Sequence, residues 1–251
     1  MKGIIPMAMC GALSLTLMTS CGAESSDKPQ ETTSQRYVAE YDASKPVIAL
    51  TFDDGPSATT RSVLEKLKKY NAVASFFVVG SNINDDTAKT ISDAYNMGCE
   101  INNHSKTHAY MNKQTAEQII EEIGFTSRKV EEITGEAPRF FRPPYIAVND
   151  TMFENIELPF IAGFGCEDWN KAVTAEQRVE SVLGQARDGA IILMHDSQGN
   201  FNTVTAIGKI IPELQSRGYQ LVTVSQLFEA KGTTPKKKII YSYADQTSMY
   251  G

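Results

Sequence analysis

Apolar runs and amphipathic stretches alternate along most of the chain. The run "PVIALTF" at 46–52 is continuously apolar, which is typical of a strand covered on both faces. The next stretch, 59–70, carries Val63, Leu64 and Leu67 at helical spacing. The same pattern predicts further strands at 72–80, 99–103, 139–144, 159–165, 190–195 and the start of 219–230. It predicts further helices at 85–98, 115–135, 149–156, 174–189, 203–218 and the end of 219–230.

Cap residues mark the ends of several predicted helices. Thr115, followed three residues later by Gln118, is a capping pair, and Gly135 marks the end of the same helix. The stretch 174–189 repeats this arrangement, and Pro212 predicts a kink in a later helix.

About seven strand–helix units in one domain predict the α/β class with a parallel sheet. The 251 residues are enough to bury one sizeable core, and no glycine-rich phosphate loop follows the first strand. A closed or nearly closed, TIM-like (β/α) barrel is therefore favoured over an open dinucleotide-binding fold. We expect this domain to span 45–230, followed by a polar, loosely packed C-terminal tail over 231–251. Chemistry in such barrels lies at the carboxyl ends of the strands.

The beginning of the chain has the features of an export signal: one lysine, an apolar stretch and then small residues. The stretch is too short, and too broken by proline and glycine, for a membrane-spanning helix. Its end, "MTSC", resembles a bacterial lipobox, which predicts a lipoprotein signal peptide over 1–21 and lipidation of Cys21. Residues 22–44 are rich in Ser, Thr, Glu and Gln and predict a flexible linker. We therefore expect an exported lipoprotein of the bacterial cell envelope, held at the membrane only by its lipid, with secretion as the alternative.

The net charge and the cysteine content exclude two classes of protein, those that bind nucleic acid and those held together by disulfides. A net charge of -6, without a cluster of Lys and Arg along a groove, argues against nucleic acid as a partner. The basic run at 236–238 is assigned to the solvated tail. Cys99 and Cys166 lie in the predicted domain and are too few and too far apart for a disulfide framework. An exported protein could oxidise this pair, but we favour two unpaired, mostly buried thiols. We also expect the protein to be a monomer.

Ionisable and aromatic side chains follow the predicted strands at the point where each strand ends. The chain has only three histidines and one tryptophan, and all of them lie just past a strand end. Because the carboxyl ends of parallel strands meet at one rim, these side chains are expected to converge. In chain order the candidates are Asp53 and Asp54, His104 and His108, Arg142 and Tyr145, Asp168 and Trp169, and His195.

His104 and His108 are four residues apart, so in a helical turn both rings would project from one face. Two imidazoles and one carboxylate form a ligand set that leaves positions open on a divalent metal ion. Taken alone, the histidine pair is also consistent with a polar surface or a hydrogen-bonded core. The adjacent Asp53 and Asp54 favour the metal, because one would ligate the ion and the other would act as a base toward a water molecule. A turn or a helix cap would explain one aspartate, not two.

With both other histidines assigned to a metal, His195 is free for proton transfer. Asp168 is the candidate that holds its tautomer, because Asp196 follows His195 on an extended strand end and points away from it. Arg142 is a candidate for orienting an aspartate. The alternatives are structural: a histidine bonded to backbone, a surface arginine and, for Trp169, a place in the core.

The segments "TFDDGP", "HSKTH", "RPPY", "DW" and "LMH", in this order, resemble the five motifs of the polysaccharide deacetylases, the NodB-homology group of carbohydrate esterase family 4. The resemblance covers about 46–228. It implies a deformed (β/α) barrel that binds one divalent metal, most often zinc, with cobalt or nickel as substitutes. It also implies an acetylated polysaccharide or oligosaccharide as the substrate.

The resemblance assigns different roles to the two adjacent aspartates. It implies that Asp54, His104 and His108 are the metal ligands. It implies Asp53 as the catalytic base and Arg142 as the residue that positions this base. The ion would then offset the charge of one aspartate while the other stays ionised.

The resemblance also assigns the groups that complete the reaction. It implies His195 as the catalytic acid, tuned by Asp168. The backbone N–H of Tyr145 would help to form an oxyanion hole, and Trp169 and Leu193 would wall a pocket for the acetyl methyl group. The products would be acetate and a deacetylated sugar.

Two positions depart from the common family pattern. Ile146 stands where many members have glycine, and Gly165 stands where many have a further aspartate. Both lie at the rim where sugar would bind, so they bear on the substrate rather than on the reaction.

The expected activity is hydrolysis of N-acetyl groups on GlcNAc polymers such as peptidoglycan or chitooligosaccharide. O-deacetylation of acetylated xylan is the alternative, because the segments 141–163 and 188–232 look more like the acetylxylan-esterase-type members. An inactive carbohydrate-binding barrel is a remote third hypothesis, since every expected catalytic position is filled. A phosphoryl-transfer enzyme is disfavoured because the chain lacks a phosphate loop and ligands for a second metal.

Overall fold

The computed structural model describes residues 36–249 of the chain. The predicted signal peptide over 1–21, with Cys21, and the first part of the predicted linker lie outside the described residues. Within 36–249, no helix combines the length and the apolar character needed to cross a membrane.

Parallel strands and the helices between them build the domain. The strands are β1 (Val47–Asp53), β2 (Ser75–Val78), β3 (Glu100–Asn103), β4 (Phe160–Ile161), β5 (Phe164–Gly165), β6 (Ala190–His195), β7 (Gln220–Leu221) and β8 (Ile240–Tyr241). The helices are α1 (Ala58–Lys69), α2 (Asp85–Asn96), α3 (Ala116–Thr134), α4 (Asp150–Asn155), α5 (Ala175–Gln185), α6 (Phe201–Ser216) and α7 (Val224–Ala230). The main sheet has the order β3-β2-β1-β6-β5, with β7 also on β1, and β4 pairs with β8. These pairings confirm the predicted α/β class with a parallel sheet.

Single backbone bridges complete the deformed barrel that the sequence predicts. Phe141 lies between β3 and β4, with bridges to Asn103 on one side and to Phe160 on the other. The residues after β8 return to β6, where the Ile191 N–H donates to the Ser242 backbone oxygen at 3.0 Å. The ring of contacts therefore runs through β1, β2, β3, Phe141, β4, β8 and β6.

The C-terminal tail packs into this ring, and the expectation of a loose tail was wrong. Tyr241 and Ala244 are 1% and 0% exposed. The tail supplies the strand that separates β4 from β6, so its few apolar residues are buried although its composition is polar. The basic run at 236–238, directly before this short apolar segment, is why the sequence indicated a solvated tail.

Several predicted strands are shorter than expected; of 72–80, for example, only Ser75–Val78 forms a strand. Of 139–144, only Phe141 forms bridges, because the prolines that follow have no N–H to donate. The stretch 159–165 is divided into β4 and β5 at Gly163, whose φ of 115° lies in the region that favours glycine.

The predicted helix caps are confirmed. The Thr115 side chain accepts from the Gln118 N–H at the start of α3, and Gly135, with φ of 76°, ends this helix. Thr174 caps α5 in the same way. Pro212 lies inside α6, which continues past it.

Alternation along β1 directs side chains to the two sides of the barrel wall. Leu50 and Phe52 pack against the surrounding helices. Val47 and Ala49 face a second cluster inside the ring. Because successive side chains point to opposite faces, Asp53 continues the inner series and faces the mouth of the barrel.

The last part of the predicted linker is bonded to the domain. The Asp42 N–H donates to Gln220 Oε1 at 2.8 Å, and Gln226 Nε2 donates to the Ala39 oxygen at 2.7 Å. The contacts of the domain therefore begin before the predicted boundary at residue 45.

Candidate active site

Asp53 and His195 lie side by side at the rim of the barrel. Each is the last residue of its strand, and the two are register partners in the pairing of β1 with β6. Asp54 has a φ of 74°, so the chain turns out of the strand immediately after Asp53. The two adjacent carboxylates consequently face different partners.

Asp54, His104 and His108 form a candidate metal site. Asp54 Oδ1 is 3.5 Å from His104 Nε2 and 3.3 Å from His108 Nε2. One ligand atom from each of the three residues lies within 4.8 Å of the others. Ligand atoms about 2.1 Å from a zinc ion at tetrahedral angles are about 3.4 Å apart, so this spacing fits one ion. Among the described residues, Asp54 Oδ1 is also buried without a hydrogen-bond partner, as expected of an oxygen that faces a cation.

His104 is held in the tautomer that a metal ligand needs. Its Nδ1 atom lies 2.7 Å from the backbone oxygen of Arg142, and a carbonyl oxygen only accepts, so Nδ1 carries the hydrogen. The Nε2 atom then keeps a free lone pair on the side of Asp54. The pKa of His108 is lowered, first by burial and then by the nearby His104, which favours a neutral ring.

The two histidines meet across a loop, not across the helical turn that their spacing suggested. Ser105 and His108 have φ of 67° and 57°, which no helix contains. Glu122 of α3 holds this loop, because its Oε2 atom accepts from the N–H groups of Lys106 and Thr107 at 2.8 Å each. The ring centroids are nevertheless 4.9 Å apart, so the predicted pairing is right although the local structure is different.

Asp53 and Arg142 form a buried ion pair. Arg142 Nη1 donates to Asp53 Oδ1 at 2.5 Å, and the two side chains are 0% and 3% exposed. The guanidinium carbon lies 4.1 Å from the centre of the Phe77 ring. Burial lowers the pKa of Arg142, and the charge of Asp53 opposes this effect. The other oxygen of Asp53 is 3.8 Å from His104 Nε2, beside the candidate metal site.

His195 is bonded to Asp168 through its Nδ1 atom, at 2.7 Å. Because Asp168 occupies Nδ1, Nε2 is the nitrogen left for the cavity. Burial alone would lower the pKa of His195, but the hydrogen bond and charge of Asp168, with Asp53 and Asp54 nearby, raise it to about 9. The ring is therefore protonated at neutral pH and able to donate a proton.

A cavity of about 640 Å³ opens above these groups. Every predicted site residue among the described ones lines it except Arg142, which lies buried behind Asp53. Trp169 is 68% exposed, so its ring is available to a ligand, whereas the Tyr145 ring stacks on Tyr110 with centroids 4.0 Å apart. Leu193 of β6 adds an apolar contact to the lining. The site thus combines apolar walls with a few converging polar groups, as ligand cavities generally do.

The two positions that depart from the family pattern line the same cavity. Ile146 has a φ of 53°, which is costly for a β-branched residue and free of cost for glycine. This backbone geometry explains why glycine would be common at the position. A Cβ atom on Gly165 would meet nothing within 4 Å, so there is space for a side chain where many members have aspartate.

The polar residues behind Asp168 were not predicted from the sequence. Thr203 Oγ1 donates to Asp168 Oδ2 at 2.7 Å, and Arg178 Nη1 donates to Thr203 Oγ1 at 2.8 Å. Arg178 shares the buried face of α5 with Ala175 and Val182. A charged residue at an apolar position of an amphipathic helix was the signal available in the sequence. The sequence offered no comparable signal for Thr203.

Asp196 is a second residue that was not assigned a role. It is fully buried, its Oδ2 atom accepts from Thr60 Oγ1, and burial is the main cause that raises its pKa to about 7. A Cβ atom on Gly55 would overlap this carboxylate. Asp196 therefore packs under the turn that follows Asp54, on the side away from the His195 ring.

A parallel-strand barrel with a carboxylate, a histidine–aspartate pair and a candidate metal site on one rim is the arrangement typical of metal-dependent barrel hydrolases. The family profile described as polysaccharide deacetylase matches residues 40–158. The chain is 52% identical over 189 residues to a bifunctional xylanase/deacetylase of Pseudobutyrivibrio xylanivorans, and the aligned region covers 75% of this chain and 31% of that protein. The chain is also 38% identical over 192 residues to the peptidoglycan-N-acetylmuramic acid deacetylase PdaC of Bacillus subtilis, where the aligned region covers 76% of this chain and 40% of that protein.

A solved structure gives the same result. The family 4 acetyl xylan esterase of Clostridium thermocellum, in complex with a cobalt ion, matches with a TM-score of 0.77 and 42% identity over 80% of this chain and 100% of that one. The chain therefore belongs to the polysaccharide deacetylase family, carbohydrate esterase family 4. It spans 31% and 40% of the two curated relatives, which are longer proteins.

Proposed function

We propose that this domain is a divalent-metal-dependent deacetylase that removes N-acetyl groups from GlcNAc polymers such as peptidoglycan or chitooligosaccharide. One observation carries the proposal: a carboxylate, a protonated histidine and a His–His–Asp set face a single cavity. Hydrolysis of an unactivated acetyl group needs these three parts, a base, an acid and an electrophile.

Asp54, His104 and His108 would hold the metal, and we propose zinc, with cobalt or nickel as substitutes. When bound, the ion supplies electrophilic chemistry, since it polarises a carbonyl oxygen and makes a water molecule more acidic. Two imidazoles and one carboxylate suit zinc. The cobalt ion in the related acetyl xylan esterase is consistent with a site of this kind.

The side chains of the domain would move the protons. Asp53 takes a proton from the attacking water with the oxygen that Arg142 leaves free. The N–H of Tyr145 donates to the oxyanion that develops on the acetyl carbon. His195, kept protonated by Asp168, gives its Nε2 proton to the departing nitrogen, which leaves as a neutral amine.

Trp169 and Leu193 would wall the pocket for the acetyl methyl group. Both line the cavity beside His195. An indole face and a leucine side chain exclude water from the methyl group and make no demand for hydrogen bonds.

O-deacetylation of acetylated xylan is the second candidate. It is favoured by the 52% identity to the bifunctional xylanase/deacetylase and the 42% identity to the acetyl xylan esterase. The similarity to PdaC, a deacetylase named for N-acetylmuramic acid, supports the N-acetyl chemistry of the first candidate but not its GlcNAc residue. The same residues would serve both reactions, because only the leaving atom changes from nitrogen to oxygen.

Acetate release from chitooligosaccharide, peptidoglycan and acetylxylan tests the proposal, with zinc-loaded protein and the Asp53→Asn variant as the control. We expect the wild type to release acetate from a GlcNAc polymer and the variant to release none above background. Release of acetate from acetylxylan alone would support the second candidate, an O-acetyl esterase. No release from any of the three, with zinc bound, would contradict a deacetylase and favour an inactive binding barrel.

We also propose that the chain is an exported, monomeric lipoprotein anchored through Cys21. The support is the sequence "MTSC" and the polar segment that follows it. Expression in a bacterium should place the wild type in the membrane fraction and Cys21→Ser outside it. Equal partition of the two proteins would contradict lipid anchoring, and light scattering of the detergent-free variant would test the monomer.

A further inference from the structure

Arg178 is a buried cation that the proposed reaction does not use. Its side chain lies in α5 and is 1% exposed. Each of its hydrogen bonds goes to a neutral oxygen. Burying a charge without a carboxylate partner is strongly unfavourable unless its surroundings compensate for it. A role for Arg178 behind Asp168 would account for this unfavourable burial.

Two nitrogens of the guanidinium bond to the backbone, and the third bonds to side chains near Asp168. Its Nε and Nη2 atoms donate to the backbone oxygens of Val173 and Asn170, at 3.2 and 3.3 Å. These two bonds fix the plane of the fork. The remaining nitrogen, Nη1, then donates to Asn200 Oδ1 at 2.6 Å and to Thr203 Oγ1 at 2.8 Å.

The direction of these bonds determines what Asn200 and Thr203 offer to Asp168. A guanidinium only donates, so the Asn200 oxygen must face Arg178 and its NH₂ group must face the other way. That NH₂ group lies 3.0 Å from the His195 backbone oxygen and 3.4 Å from Asp168 Oδ2. Thr203 accepts from Arg178, so its single hydrogen is left for Asp168 Oδ2 at 2.7 Å.

We propose that Arg178 is a positioning residue for proton transfer: it orients Thr203 and Asn200 so that both donate to Asp168, which in turn holds the His195 ring. Asp168 Oδ2 accepts from Thr203, Asn200 and the His195 N–H, and Oδ1 remains for His195 Nδ1. With its carboxylate plane fixed in this way, the His195 Nε2 atom stays directed at the leaving group. The inference rests on the proposed deacetylase function.

A pair of substrates separates this role from a structural one. The nitrogen or oxygen of a sugar needs a proton to leave, whereas 4-nitrophenolate leaves from 4-nitrophenyl acetate without one. A displaced acid should therefore slow the first reaction and spare the second. Thr203→Val removes the hydroxyl with little change of shape, Thr203→Ser restores it, and Thr205→Val is a matched control on the exposed side of the same helix.

We expect Thr203→Val to lower kcat for chitooligosaccharide or acetylxylan, whichever the wild type hydrolyses, by about tenfold to a hundredfold. KM should change by less than about twofold, and the rate with 4-nitrophenyl acetate by less than about threefold, because binding and water attack are untouched. Thr203→Ser and Thr205→Val should match the wild type.

Arg178→Met should show the same selective loss of kcat on the sugar substrate. The double variant of Arg178→Met with Thr203→Val should lose no more than the greater of the two single losses.

Several results would overturn the inference. Equal losses on both substrates by Thr203→Val, or additive losses in the double variant, would show a structural role. Wild-type rates in Thr203→Val would remove the role altogether. If Arg178→Met does not fold, the Thr203 variants still decide the question. A wild type that releases acetate from neither sugar substrate would instead contradict the proposed function, because it fails before any variant is compared.

Discussion

Two neighbouring carboxylates have different chemistry here because the backbone turns between them. Asp53 ends β1 and its side chain is bound by Arg142, whereas Asp54 has a φ of 74° and faces the two histidines. The guanidinium of Arg142 occupies one oxygen of Asp53 and leaves the second oxygen free. A buried oxygen without a hydrogen-bond partner, as in Asp54, is instead suited to a cation.

The first prediction separates these two roles. Asp53→Asn should retain the metal and lose about 10²- to 10⁴-fold in kcat, because an amide still accepts from Arg142 but cannot take a proton. Asp54→Asn and His104→Ala should lose both metal and activity. Metal content by mass spectrometry and acetate release measure the two quantities on the same sample. Near-full activity of Asp53→Asn, or its loss of metal, would contradict this division.

The second prediction concerns pH. His195 must be protonated to act as an acid, and its pKa is about 9, so kcat should fall as the pH rises through this value. In Asp168→Asn the charge that raises this pKa is gone while burial remains, so the alkaline limb should move to lower pH. The pH profile of acetate release measures the shift, and Asp150→Asn, at an exposed carboxylate, is the control. An unchanged limb in Asp168→Asn would show that His195 is not the titrating acid.

At the residue scale, the sequence predicted the groups that follow strands and missed those that support them. Asp53 and His195 could be placed because strand ends meet at one rim and alternate side chains share a face. Thr203 donates to Asp168, and Arg178, on a different helix, donates in turn to Thr203. Such a contact depends on how helices pack on the barrel, which periodicity along one chain does not encode.

At the scale of elements, the sequence predicted long periodic segments well and short ones poorly. The helices and the strands β1 and β6 follow strong patterns of apolar residues. β8 has two residues, and the strand over 139–144 is reduced to the bridges of Phe141. These short segments are extended because each fills a gap between two neighbouring strands of the barrel. Their conformation therefore depends on the rest of the barrel and not on their own sequence.

The third prediction tests the role of β8 in closing the barrel. Tyr241 is 1% exposed and packs its ring edge against Phe228, with centroids 5.0 Å apart. Tyr241→Ala should lower the free energy of unfolding by about 3–5 kcal/mol, as large-to-small changes of buried aromatic residues do. Urea denaturation measures it, with Tyr37→Ala, at a side chain that is 49% exposed, as the control. A loss below about 1 kcal/mol would mean that the tail is not part of the stable core.

At the scale of the whole molecule, one apolar cluster connects parts of the chain that lie far apart in sequence. It lies between the barrel wall and its helices and contains both Cys99, before β3, and Cys166, after β5. These elements are at opposite ends of the main sheet. A cluster that spans the sheet should make the domain unfold as one unit, because neither edge can open without exposing part of the same core.

The last prediction uses the two thiols to test this cooperativity. They are buried and unpaired, as the sequence predicted, and burial is the main cause that raises the pKa of each to about 12. At pH 8 about one thiol in 10⁴ would be ionised even if reagent could reach it, so labelling must proceed through unfolding. In a chain with Cys10→Ser and Cys21→Ser, Cys99 and Cys166 should be labelled at rates within about twofold of each other and with the same dependence on urea. Mass spectrometry of the two peptides measures both rates, and a much faster reaction of one thiol would show that its edge of the sheet opens separately.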